Sequence, residues 1–260
     1  MRHMTGLSYK QVQKTDKAIT VAMAFAETKA SEAVEFDRGE VDVDTGASGA
    51  SRSKRSTTFK GRIGIYKGRR TKEFATVPLP DRKSTRGKRS LTPETKAEMQ
   101  LSYTKKMHDG VIHMSDGSPA LLALAKDAGL PRASVTHGRQ GYLRPVKFKK
   151  SQLSEKTLQG ISKRPAANSS VYYHSIAGNN AAEGLLGNLN KSRSRVNKHG
   201  GGATRNALLN QLAAAYMQRA PGLDKVLHAM KTYREYAQST VAPAVAFGVK
   251  LDAPWLPNTR

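Results

Sequence analysis

The sequence predicts an α/β domain: a mixed sheet of about five strands, flanking helices and a helical C-terminal part. Three observations carry this. Residues 59–67 and 73–79 show strand-like patterning on either side of a basic turn, as in a hairpin. Helical and strand patterns then alternate through residues 92–136. From Asn179 onward the pattern is helical only.

Segment 1–31 reads as helical. Ser8 and Asp16 suit helix caps and 18–30 reads as a helix, so the segment is a helix-turn-helix remnant or an ordinary helical hairpin. Residues 33–37 read as a short strand ending in Asp37, and 38–58, rich in Gly, Ser and charge, as a loop. In 59–67, Phe59, Gly61, Ile63 and Ile65 alternate with Lys60, Arg62, Gly64 and Tyr66, and 73–79 returns as the next strand. Residues 80–90 form a basic loop. Thr92-Pro93-Glu94 then opens a helix running to about His108. Residues 111–114 are a short buried strand ended by Asp116-Gly117. Ser118-Pro119 opens a helix to about Ala128, and 133–136 is a fifth strand.

Residues 138–170 are basic and weakly periodic, as expected of an insertion lying on nucleic acid, and 171–174 add an extended piece. Ala182, Leu185, Leu186 and Leu189 share one helix face. Further helices span 206–219 and 221–239, and a Pro-containing tail with Trp255 follows. Three hairpin-connected strands followed by alternating helices and strands is the order of an RNase H-like domain, here over 32–220, with 221–260 as a C-terminal helix and tail.

The chain carries 44 Lys+Arg against 20 Asp+Glu, a formal charge of +24, and only 38% hydrophobic residues. Self-repulsion on that scale points to a polyanionic partner, DNA or RNA. The absence of cysteine excludes disulfides, thiol catalysis and zinc ribbons. No apolar run is long enough to span a membrane and no signal peptide is visible. An intracellular place in a nucleus or nucleoid is expected, with residues 52–55 and 86–89 as basic patches. Gly200-Gly201-Gly202 lacks the Lys and Ser/Thr of a phosphate loop, so no nucleotide cofactor is expected.

In a chain so poor in acids, their placement is informative. Asp37 ends the first expected strand, Asp116 ends the fourth, and Glu183 stands early in the helix after the fifth. In the expected fold strands one and four are neighbours, so these acids converge. Two divalent ions, Mg²⁺ or Mn²⁺, would offset their repulsion and suit all-oxygen ligands. Each acid also has a plainer reading. Asp116-Gly117 is a turn former, and Glu183 favours the helix dipole. Asp42 and Asp44, in the alternating stretch 40–44, compete with Asp37 as first ligand.

Val34-Glu35-Phe36-Asp37 resembles the first-acid strand of insertion-sequence transposases of the DDE class. Met114-Ser115-Asp116-Gly117 with the helix after it resembles the second-acid segment, and Val135-Thr136-His137 the strand and histidine that follow. The stretch from His174 through Asn179, Asn180 and Glu183 to Lys191 is similar to the third-acid region. The resemblance implies an RNase H-like catalytic domain that cleaves and transfers DNA strands on two metal ions held by Asp37, Asp116 and Glu183. It also implies a homodimer or higher oligomer on DNA.

His137, Lys147, Lys149, Lys150, Lys191, Arg193, Arg195 and Lys198 are the expected nucleic-acid contacts. Two other readings stand beside the transposase. One is a catalytically inactive, domesticated DNA- or RNA-binding protein on the same fold. The other is a basic ribosomal or structural protein whose acids are turn residues.

Overall fold

The computed structural model describes residues 8–52, 57–84, 94–136, 143–161, 170–196, 207–219 and 222–239. A long helix, α1 (Tyr9–Ala33), precedes strands β1 (Gly39–Arg52), β2 (Thr57–Gly68), β3 (Phe74–Leu79) and β4 (Arg82–Ser84). Then follow α2 (Lys96–Lys106), β5 (Val111–Ser115), α3 (Pro119–Asp127) and β6 (Arg132–Ser134). Next come β7 (Arg144–Lys149), α4 (Glu155–Gly160) and β8 (Tyr172–Ala177). Helices α5 (Asn180–Val196), α6 (Ala207–Arg219) and α7 (Leu223–Ser239) complete the described chain.

The main sheet has the order β3-β2-β1-β5-β6, with β4 pairing β2. β1 to β3 are antiparallel neighbours, whereas β5 and β6 run parallel to β1. This is an RNase H-like sheet with flanking helices. Val41, Val43 and Tyr66 face α2 and α3, packing on Met99, Tyr103, Leu121 and Leu124. Ile63 and Ile65 face the other way, toward Val21 and Phe25 of α1, Leu185 and Leu189 of α5 and Leu212 of α6. The β7–β8 ribbon closes the β5 side of that second face, where Val146, Phe148, Tyr173 and Ala177 pack with Ile112 and Met114.

A buried polar knot ties the second layer to the sheet. Glu27 of α1, with no exposed surface, accepts from Ser31 Oγ (2.7 Å), Thr76 Oγ1 (2.8 Å) and Arg219 of α6 (2.6 and 2.9 Å). The Arg219 guanidinium also lies 3.9 Å from the centre of the Phe74 ring.

Several boundaries differ from the sequence reading. Residues 33–37 are not a strand: Phe36 makes one isolated bridge to Met107, and the first strand of the sheet is β1, inside the stretch read as a loop. The physical reason is that β1 pairs with β2 from Val41 to Arg52 and with β5 from Gly39 to Asp42, so its backbone finds partners whatever its composition. Asp16 lies inside the uninterrupted α1, so the cap is Ser8 alone, with a capping box to Gln11. Helix α2 is capped by Thr95, again with a capping box, three residues after the cap expected at Thr92. The fifth expected strand is β6, which stops at Ser134. Part of the expected insertion is ordered structure, namely β7 and α4.

Candidate functional site

β1 carries three acids on one face: Glu40, Asp42 and Asp44, at strand period two. All three are buried, and each is engaged differently. Glu40 accepts from Tyr173 Oη at 3.0 Å and from Ser175 Oγ, fastening β1 to β8. Asp42, with no exposed surface, takes the Nε–H of Arg69 and, at 2.8 Å, the backbone N–H of Ala181 in the first turn of α5. Its carboxyl stays above the ordinary range because burial outweighs the pull of Arg69 and the backbone donors. Arg69 also donates to the carbonyls of Ile176 in β8 and Gly178 in the turn to α5. One guanidinium thus pins strand, turn and helix tip together.

Asp44 is the third. In the parallel register Asp42 pairs with Met114, and two residues further along each chain stand Asp44 and Asp116. Its Oδ1 accepts from the Thr45 N–H at 2.7 Å. Burial, then the charges of Asp116, Glu183 and Glu94, push its carboxyl up to about 8. Asp116 and Glu183 are half-buried, and the Asp116 carboxylate accepts from the Ser118 N–H at 3.0 Å. Glu183 reaches this place because α5 lies close on β1 beside it. A Cβ on Gly46 would stand 2.6 Å from Leu186, one helical turn beyond Glu183.

Glu94, buried just before α2, accepts from Thr45 Oγ1 at 2.7 Å and from Ser118 Oγ. It bridges the residue after Asp44 to the residue two beyond Asp116. Asn179, 1% exposed at the head of α5, has an amide with no hydrogen-bond partner. Sequence reasoning missed Glu94 and Gly46. The signal for Gly46 was a glycine two residues after an acid on the same strand face, a mark of close backbone approach.

Asp37 is not brought to this group. It stands seven positions before Asp44, roughly 20 Å along an extended chain. It sits before the N-terminal end of β1, exposed and 3.6 Å from Arg38 Nε, lining an open cleft of about 690 Å³ with Arg38, Arg69 and Arg70. Asp116 follows the C-terminal end of the parallel β5, which is why the two part company. Asp42 is committed to Arg69 and α5. The acid that stands with Asp116 and Glu183 is therefore Asp44.

No family model matches the chain, and neither a curated protein nor a solved structure matches it. Among the described residues, no three His, Cys, Asp or Glu side chains stand close enough, as they lie, to hold a metal ion. Among the described residues, no helix is long and apolar enough to cross a membrane.

The expected nucleic-acid contacts divide. Lys147 and Lys149 are exposed on β7, Lys150 is half-buried beyond it, and Lys191 is exposed on α5. The side chains of Arg193 and Arg195 lie outside the described part of α5, and His137 and Lys198 outside the described residues.

The raised Asp44 carboxyl makes the stability of metal-free protein pH-dependent. The folded chain holds this proton up to about pH 8, whereas an unfolded carboxyl releases it near 3.8. Between those values the unfolded state binds fewer protons, so stability falls as pH rises. In chelator, thermal midpoints should therefore decline across this window. Asp44→Asn should remove much of the decline and add about 1–3 kcal/mol at its upper end, the desolvation cost of one buried group. Equal pH profiles for the two proteins would show that Asp44 carries no such strain.

Proposed function

We propose that this chain is a DDE-type transposase acting on DNA, cutting and joining strands with Asp44, Asp116 and Glu183 as its catalytic carboxylates. Asp44 replaces Asp37 in that role. The observation that carries the reading is the elevated carboxyl of Asp44 inside β1, raised by burial and by the charges of Asp116 just after β5, Glu183 in the first turn of α5 and Glu94. Acids gathered against their own repulsion suggest a missing cation, and an all-oxygen donor set fits a hard one such as Mg²⁺ or Mn²⁺. The three carboxylates would hold it after side-chain rotations that bring them closer than they now stand. Bound there, divalent ions supply activation of the attacking oxygen and stabilisation of the leaving one.

The residues around the acids have supporting tasks. Glu94 holds Thr45 and Ser118, and so the backbone beside Asp44 and Asp116. Asp42 and Arg69 fix the tip of α5, and so Glu183. The buried Asn179 amide at the head of that helix has donors and an acceptor that a buried water would satisfy.

The deciding experiment is nicking of supercoiled DNA with Mg²⁺ or Mn²⁺, with and without chelator. Nicking that stops in chelator is expected. Nicking that persists in excess chelator overturns the metal-dependent reading. Because the acids stand too far apart, as they lie, for a metal, the inactive DNA-binding reading is the second one. Inactivity at every metal concentration with DNA binding intact selects it. In either case DNA affinity should fall steeply and linearly with salt on logarithmic axes, as the charge of +24 demands. A flat response would assign that charge to another purpose.

A further inference from the structure

β7 and β8 form a two-stranded antiparallel ribbon separate from the main sheet. Its inner face, with Val146, Phe148, Tyr173 and Ala177, belongs to the core. The register puts six residues on the other face: Pro145, Lys147 and Lys149 from β7, and Tyr172, His174 and Ile176 from β8. Lys147 pairs with His174 and Lys149 with Tyr172. Five of the six are exposed, and Tyr172 is half-buried. No carboxylate lies among them: Lys147, Lys149, His174 and Tyr172 make a strip of positive charge and hydrogen-bond donors, with apolar Pro145 and Ile176 at one end. Its Ile176 end leads through Gly178 and Asn179 into α5 and Glu183.

We propose that this outward face seats duplex DNA beside the acid group, with the ribbon lying in the major groove. The placement next to a cutting site rests on the function proposed above; the binding itself does not. Dimensions and chemistry both support it. Two strands lie about 4.8 Å apart and six residues span about 20 Å, and the major groove, about 12 Å wide, admits such a ribbon. At about 3.4 Å per base pair, the ribbon covers roughly six pairs. Lysine and histidine donors suit phosphates at the groove edges and the acceptor atoms of guanine within it. A single strand fits less well, because its platforms are free aromatic rings. The one aromatic here, Tyr172, already has Lys147 Nζ 5.0 Å from its ring centre and His174 at its edge.

The test is direct binding in chelator, which removes catalysis from the outcome. Anisotropy titrations compare the full chain with Lys147→Gln/Lys149→Gln, and with Lys105→Gln/Lys126→Gln on exposed positions of α2 and α3. Each lysine that no longer neutralises a phosphate flattens the logarithmic salt slope by about 0.9, so the ribbon pair should flatten it by about 2 and the control pair by much less. A second measurement stands apart from any variant. In the wild-type protein, duplex DNA should shield Lys147 and Lys149 from acetylation more than Lys105 and Lys126. Equal slopes for the two double variants, or equal acetylation with and without duplex, overturns the proposal. So does a single strand of the same length competing as well as the duplex. Wild-type protein that shows the ribbon effects yet never nicks DNA would instead sink the catalytic reading and leave the ribbon standing.

Discussion

Asp44→Ala, Asp116→Ala and Glu183→Ala should each reduce metal-dependent nicking by more than about 100-fold, the upper range for losing an outer partner of a metal site, let alone a ligand. Asp37→Ala should change it by no more than about twofold, the reach of a surface substitution. The contrast follows from placement. Asp44 shares its field with Asp116 and Glu183, whereas Asp37 is exposed before the start of β1. DNA affinity measured in chelator should survive all four changes, because the lysines and arginines that would grip phosphate are untouched. An inactive Asp37→Ala beside an active Asp44→Ala would return the first-ligand role to Asp37. Full activity in an Asp116→Ala/Glu183→Ala double variant would end the three-carboxylate mechanism altogether.

Arg69→Met should cost about 3–5 kcal/mol of stability, the usual penalty for stripping a buried charge of its partner. Asp42 has no exposed surface, and Arg69 is the cation that hydrogen-bonds its carboxylate. The same change removes the donors to Ile176 and Gly178, so the turn before α5 loosens as well. Arg69→Lys should recover only part of the loss, since one ammonium cannot serve acceptors spread as a planar fork serves them. Asp42→Asn/Arg69→Met should be more stable than Arg69→Met alone, because no unpaired buried charge is left. Urea denaturation measures all three. In variants that remain folded, Mn²⁺ binding by calorimetry should weaken while DNA binding holds, because Glu183 rides on the helix that the clamp places. An Arg69→Met protein as stable as wild type would show that water replaces the guanidinium at no cost.

Much of this arrangement was legible in the sequence. Alternation around Ile63 and Ile65 revealed the β2–β3 hairpin, and the apolar run at Val111 with the Pro119 helix start revealed β5 and α3. The spacing of Ala182, Leu185 and Leu189 revealed α5 with Glu183 near its head. What stayed hidden was β1. A reader of patterns puts apolar residues inside and acids outside, and Glu40-Val41-Asp42-Val43-Asp44 then reads as a polar loop. Here both faces of the strand are covered. The valines meet α2 and α3, and the acids meet Tyr173, Arg69, α5 and one another. Those partners come from residues 69 to 183, so no local window contains the reason. Asp37 attracted attention because Val34 and Phe36 precede it. Phe36 is indeed buried, packed in the core with Val41 and Tyr66, but its backbone makes only an isolated bridge to Met107. Glu94 was hidden likewise, since its two partners stand 49 and 24 residues away.

The knot of Glu27, Thr76 and Arg219 joins α1 to α6 across nearly the whole described chain. During synthesis this makes the first helix a waiting element. Ile63, Ile65 and Phe74 can cover Val21 and Phe25 only in part, and the rest of that cover waits until Leu209, Leu212 and Tyr233 have emerged. Contacts of such long sequence separation slow folding and leave apolar surface open to association meanwhile. A chain released before α6 would have made every acid of the site and still lack the layer that holds α1 down. Premature termination should therefore yield aggregated protein rather than a small active core.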